Sequence, residues 1–253
     1  MTRGALEPHR PDSNLDRLLV LDVGMYSTFM RLVLAMLAAA LLVPGVAAAR
    51  ILEIGEVATS SPPSCPASPC EVISRTTAYQ ALVAGVGELY VVPKDGRLVA
   101  WSVTLGTPGK KQRTFFEQNL GGAAQAGITV LEYGDRPYFR RVTGATPLQT
   151  LTPYFGRTVQ FPLTTSLAVQ KGDIVALTVP TWAPALSLGL KRDSTWRASR
   201  ARGACDDTQT QSTHTGVRSR TRYKCSYRTA RLTYSATVVT TPVPPKSAKP
   251  KRP

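Results

Sequence analysis

The sequence predicts an all-β protein, an antiparallel β-sandwich of jelly-roll type with about nine or ten strands. Three observations carry that expectation. From Glu71 onward, short β-branched and aromatic runs recur at regular spacing, punctuated by Gly, Pro and Asp. Only one stretch, 110–119, has the composition of a helix. Strand-like runs stand at both ends of the region 70–239 and bracket it, as a jelly roll requires.

The elements follow in chain order. Leu89-Tyr90-Val91-Val92 runs into Pro93-Lys94-Asp95-Gly96, a strong turn signal, so 88–105 reads as a hairpin. In its second arm Val99, Trp101, Val103 and Leu105 alternate with Leu98, Ala100, Ser102 and Thr104, the pattern of a strand with one buried face. The helix over 110–119 ends at Gly121-Gly122. Strands resume at 127–133, 138–142 and 157–163. The run 167–179 holds two strands about a Lys171-Gly172-Asp173 turn, and 185–190 is a further short strand. From 228 to 238, Arg228, Ala230, Leu232, Tyr234, Ala236 and Val238 alternate with Tyr227, Thr229, Arg231, Thr233 and Ser235, a long final strand.

The flanks have other compositions. Residues 30–49 carry the marks of an export signal: Arg31, an apolar run over 32–43, Pro44-Gly45 as breaker, and Ala47 and Ala49 before a cut at Arg50. The apolar run is too short to span a bilayer as a helix. Residues 1–29 read as an over-extended start, with Met30 or less neatly Met25 as better starts, or as a cytoplasmic extension ahead of an uncleaved anchor. Ser60 to Pro69 reads as a Ser/Pro-rich linker within an entry segment, 50–69, and 240–253 as a disordered basic tail. After cleavage no membrane span is expected, and the protein is read as secreted or bound to the cell envelope.

All four cysteines lie after the cut, and an even count in an exported chain reads as disulfides. Cys65–Cys70 with Cys205–Cys225 is the preferred pairing, closing a Pro-rich knot and stapling a long polar loop. Cys70–Cys225 is the rival, since each precedes a β-like run. Zinc is disfavoured because CxxC spacing is absent and His214 is the one histidine after the cut.

The formal net charge is +15, with Arg well ahead of Lys, and the removed segment is charge-neutral. Such an excess favours anionic partners. In an exported protein these are wall polymer, acidic polysaccharide or lipid head groups, and no nucleic acid in its native compartment. Part of the excess can also reflect GC-rich codon usage.

The runs Val92-Pro93-Lys94-Asp95-Gly96-Arg97-Leu98-Val99-Ala100-Trp101 and Val169-Gln170-Lys171-Gly172-Asp173-Ile174-Val175-Ala176-Leu177 resemble a pattern in uncharacterised exported β-sandwich proteins of high-GC Gram-positive bacteria. The resemblance covers most of 70–239. It implies the sandwich fold and assigns no functional residue.

Catalytic constellations are thin. His214 sits between threonines in the polar segment, without a Gly-x-Ser-x-Gly elbow, and reads as an exposed loop histidine. Asp95, Asp135 and Asp173 stand in turn contexts, where Asp binds its own backbone. Glu88 and Glu132 lie in or beside strands as a possible carboxylate pair. Asp206-Asp207 makes a poor calcium site among so many arginines. Lys171-Gly172-Asp173 matches an adhesion tripeptide but reads as a hairpin turn.

The distinctive segment is 191–231, with eleven basic residues against three acids and Trp196, Tyr223 and Tyr227 interleaved. Guanidinium forks suit carboxylate, sulfate or phosphate, and ring faces suit sugars. Against this stands a solvated, stapled loop with its rings packed inward. Trp182, between Pro180 and Pro184, is either a ring platform or a plug for the end of the sandwich. The expectation is a non-catalytic binding module, without cofactor or metal, that holds anionic polysaccharide or cell-wall polymer. Its candidate contacts are Trp182, Trp196, Arg197, Arg200, Arg218, Arg220, Arg222, Tyr223 and Tyr227. A glycan-active hydrolase or lyase and a structural coat component are the alternatives.

Overall fold

A computed structural model describes residues 48–57, 61–200, 203–207, 210 and 213–242. The export signal up to residue 47, the tail from 243, and Arg202 lie outside the described residues. The described chain is all-β with one short helix. Its strands are β1 (Ile51–Ile54), β2 (Ile73–Val83), β3 (Val86–Gly87), β4 (Gly96–Thr104), β5 (Gln125–Tyr133), β6 (Phe139–Ala145), β7 (Gln149–Thr150) and β8 (Thr158–Val169). They continue with β9 (Ile174–Ala183), β10 (Leu186–Ser187), β11 (Thr195–Ala198), β12 (Arg220–Arg222), β13 (Cys225–Arg228), β14 (Arg231–Leu232) and β15 (Tyr234–Thr240). The helix α1 spans Lys110–Asn119.

All strand pairs are antiparallel. One sheet runs β1-β15-β4-β8. A second, in the order β12-β6-β5-β9-β2-β11-β13, curls into a half barrel. Between them lies the large core, to which β4, β8 and β15 contribute Leu98, Trp101, Phe161 and Val238. The opposing sheet contributes Ile128, Val130, Val175, Leu177 and Val179.

The curled sheet is buried on its other face too. Tyr79, Leu131, Val142, Ile174, Ala176 and Tyr223 form a second, smaller core there. This explains why β5 and β9 read as nearly continuous apolar runs: each face of each strand meets a core. A threonine ladder crosses the second face, with Thr77 and Thr129 hydroxyls 2.8 and 2.6 Å from Thr178 Oγ1. Each hydroxyl satisfies its neighbour, so burial leaves no orphan.

The helix stands where the sequence places it. Gln112 Oε1 accepts from the Gly109 N–H at 2.7 Å, and Arg113 pairs with Glu117 at 2.8 Å one turn on. Gly121 and Gly122 then take φ of +94° and +96°, which side chains with a Cβ rarely adopt, and the helix stops.

Several expectations need correction. Residues 88–92 do not form a hairpin with β4. They run beside β9, where Val91 bridges Ile174 and the Val175 N–H donates to Tyr90 O at 2.9 Å. β4 pairs instead with β15 and β8. A break in register between Leu98 and Ala100 reverses the alternation, so Leu98 and Trp101 share the buried side. The expected strand at 157–163 and the first half of 167–179 are one edge strand, β8, where Pro162 costs little because an edge tolerates a missing donor. The Lys171 turn leads from β8 in one sheet to β9 in the other, so it is no hairpin. The long final strand is broken at Thr229, whose φ is +62°, into β13, β14 and β15.

The described part of the Ser/Pro segment is packed. Ser64 N–H donates to Leu186 O at 2.8 Å, and Cys65 is buried against Gly106. The disulfides are Cys65–Cys70 and Cys205–Cys225, so the Cys70–Cys225 rival does not form.

Candidate functional site

The segment expected to be one long polar loop supplies three strands. β11 and β13 extend the curled sheet beyond β2, and β12 caps its opposite edge against β6. This divides the candidate residues into two groups with different fates.

The first group is structural. Trp182 is 0% exposed; its indole N–H donates to Gly122 O at 2.8 Å, and its ring meets Phe116 and Phe155 at 5.1 and 5.5 Å. With both faces covered it is a plug and has none left for a ligand. Trp196 is buried and stacks on Tyr227 at 4.1 Å. Tyr227 spends its hydroxyl on Cys205 O. Arg200 is buried and donates to Cys205 O at 3.2 Å and Ser74 O at 2.8 Å. These three side chains brace the Cys205–Cys225 staple against β2, and the ligand contacts expected of Trp196, Arg200 and Tyr227 are corrected accordingly. Tyr223 is likewise buried, 5.5 Å from Tyr79 in the second core.

His214 is also corrected. It is buried, where an exposed loop residue was expected. Its N–H donates to Thr77 Oγ1 at 2.9 Å and its Nδ1 lies 3.1 Å from the Tyr223 hydroxyl. The threonine ladder thus seats the segment that closes the second core. Burial pushes the imidazole below its ordinary value, and a backbone hydrogen bond at Ser219 opposes the shift.

The second group faces solvent. Arg218, Arg220 and Arg222 are exposed at and before β12, and the half-buried Arg197 of β11 donates to Tyr223 O beside them at 3.4 Å. The strand register sets Arg220 opposite Arg141 and Thr221 opposite Arg140. Two like charges directly opposite destabilise a strand pair unless counter-charge is near. Here Glu132 takes Arg141, and Asp135 takes Arg220 at 3.2 Å.

The rings of this face come from a stretch that sequence reasoning passed over. Tyr133 and Tyr138, at the two ends of the β5–β6 turn, are among the exposed large side chains. Arg140 lies 4.3 Å over the Tyr133 ring, Arg197 4.6 Å over Tyr138, and Arg222 4.9 Å over Phe139. Such stacking fixes a guanidinium while leaving its edge free for an anion. The signal was present in Tyr133-Gly134-Asp135-Arg136-Pro137-Tyr138-Phe139-Arg140-Arg141, as dense in Arg and rings as the segment that was chosen.

Arg140 is the central member. It is 8% exposed, donates to Phe139 O at 2.7 Å and to the Tyr79 hydroxyl at 3.0 Å, and its Nε has no partner. The described residues hold three ion pairs, and neither Arg140 nor Arg197 belongs to one. Burial raises the Tyr79 phenol above its ordinary value, while the charges of Arg140 and Arg197 pull it down. Two cavities flank Arg140. One, of about 220 Å³, is lined by Tyr79, Glu88, Val91, Tyr133 and Arg197. The other, of about 240 Å³, is lined by Gly134, Asp135, Arg136, Phe139 and Arg220.

Most of the carboxylates weighed for catalysis are engaged, Glu88 being exposed. Glu132 and Asp135 hold arginines. Asp173 is buried with Oδ2 on the Gln170 N–H at 2.8 Å, which also removes it from any adhesion role, and Asp95 accepts from the Lys171 N–H. Among the described residues no group of three His, Cys, Asp or Glu side chains is placed to hold a metal, and no helix is long and apolar enough to cross a membrane. No family model matches the chain, and no curated protein or solved structure matches it.

Proposed function

We propose that this protein is an exported, non-catalytic binding module that holds anionic cell-envelope polysaccharide or wall polymer on the face built by β6, β12 and the β5–β6 turn. The observation that carries the reading is the charge balance there: Arg136, Arg140, Arg141, Arg197, Arg218, Arg220 and Arg222 stand against Glu88, Glu132 and Asp135. Exposed arginines interleaved with Tyr133 and Tyr138 suit a polymer that alternates acidic groups and rings. The commitment of Glu132 and Asp135 to arginines favours binding over a carboxylate-pair hydrolase. Two disulfides accord with an oxidising compartment. The jelly-roll topology, and kinship with exported β-sandwich proteins of high-GC Gram-positive bacteria, belong to the same proposal. The chain's repeated passage between the two sheets, as from β4 to β5 and from β8 to β9, supports the jelly-roll part of it.

Contacts of this kind are ionic and multivalent, so salt weakens them. The test is a pull-down of the secreted protein on insoluble envelope from its own host at low and high salt. Retention should be lost in high salt and fall severalfold at low salt when Arg218, Arg220 and Arg222 are replaced by Gln. Unchanged retention in that variant overturns the assignment of this face.

A further inference from the structure

We propose that the 220 Å³ cavity beside Arg140 is a subsite for one acidic sugar unit, whose carboxylate is taken by Arg140 and Arg197. The inference rests on the binding-face reading above and deepens it by naming the ligand's chemistry.

Four observations converge. Arg140 is a buried cation with an unpartnered Nε and no carboxylate in ion-pair reach. A buried charge in that state is costly until an anion meets it. Arg197 lines the same cavity and is likewise free of a carboxylate, so two guanidinium forks serve one small space. The volume is below the range of drug-sized pockets and suits a single ring. Glu88 stands exposed on the lining, a position hostile to a dianionic phosphate but able to accept a hydrogen bond from a sugar hydroxyl. A monoanion carried on a hydroxylated ring meets all four conditions.

The position of Arg140 links this subsite to the outer face. It lines the second cavity with Arg136 and Arg220, so a polymer lying along β12 can turn one acidic unit inward past Arg140.

The experiment is calorimetric titration of the full chain at low salt with D-glucuronate, D-galacturonate, D-glucose and inorganic phosphate. A uronate should bind saturably, with glucose silent and phosphate weaker. Arg140→Gln should remove the uronate signal. Because that side chain is buried, Arg197→Gln provides a second variant, expected to weaken uronate about tenfold through one lost charge-assisted contact while leaving the melting temperature close to wild type. Uronate binding unchanged by Arg197→Gln overturns the subsite, as does phosphate binding as tight as uronate. Envelope retention without any uronate binding also overturns it and leaves the outer-face reading standing. Uronate binding by a protein that the envelope does not retain supports the subsite and removes that reading.

Discussion

His214 shows how a single side chain couples packing to pH. Its ring is held beside the Tyr223 hydroxyl and under the second core, and burial lowers its proton affinity. The unfolded chain takes up that proton near pH 6.5, the folded one only at lower pH. Between those values the unfolded state binds more protons, so stability is complete above about pH 6.5 and falls as the pH drops through the window. Thermal melts from pH 7.5 to 5.5 should show wild type losing melting temperature on the acid side, with a shallower loss in His214→Gln. Parallel slopes would show that His214 contributes nothing to acid lability. Trp182 makes a second residue-scale case. Removing a fully buried Trp ring costs about 3–5 kcal/mol, so Trp182→Ala should melt far below wild type. Below its melting point it should still bind envelope normally, because the ring touches no solvent. The burial of Trp182 was the favoured reading of the sequence, while that of His214 was not legible there. A Trp between prolines at a strand end favours a plug over a platform, whereas a His among threonines looks exposed until the Thr77–Thr178–Thr129 ladder is seen to receive it.

Elements were legible where their signals are local. The helix 110–119 was, because its capping, its ion pair and its terminal glycines all lie within a few residues. The central strands β5 and β9 were, through their apolar runs. Pairing was not, since it depends on distant partners. The Pro93–Gly96 signal marks a true change of direction, yet the residues before it pair with β9 and those after it with β15. The bulge at Leu98–Ala100 reverses a correct alternation halfway along β4 for the same reason. β11 and β12 were missed because a high arginine count masks short strands, and β12 carries only Arg220, Thr221 and Arg222. The basic character of the face was therefore legible, as was the inward packing of its rings as one of two readings, while its second half in the β5–β6 turn was not. The Cys205–Cys225 staple makes the element-scale prediction. It closes 20 residues of chain and should contribute about 3 kcal/mol through the unfolded state. A Cys205→Ser, Cys225→Ser variant should melt well below wild type, and its hydrogen exchange should rise first around β11 and β13. Uniform exchange across both sheets would instead show that the loss is global.

At the scale of the whole molecule, the curled sheet is shared between two cores, and its free edges become the points where another molecule can attach. Unpaired strand edges invite pairing between copies unless charge, proline or shortness blocks them. β12 is three residues long with two arginines, β1 and β13 have four residues each, and β8 carries Pro162. These edges are guarded, which opposes the coat-component reading, since a coat would assemble through them. On the proposed function the guard on β12 is also the binding face, so one set of arginines would both prevent self-pairing and attract acidic polymer. In sedimentation velocity the protein should remain a single species whose coefficient does not rise with concentration at low salt. Arg220→Val with Arg222→Val, which replaces the charges with strand-favouring side chains, should introduce concentration-dependent association and lower envelope retention together. Wild-type assembly under the same conditions would favour the coat component over the binding module. A variant that loses retention without associating would separate the two roles and leave the edge protected by β12's shortness alone.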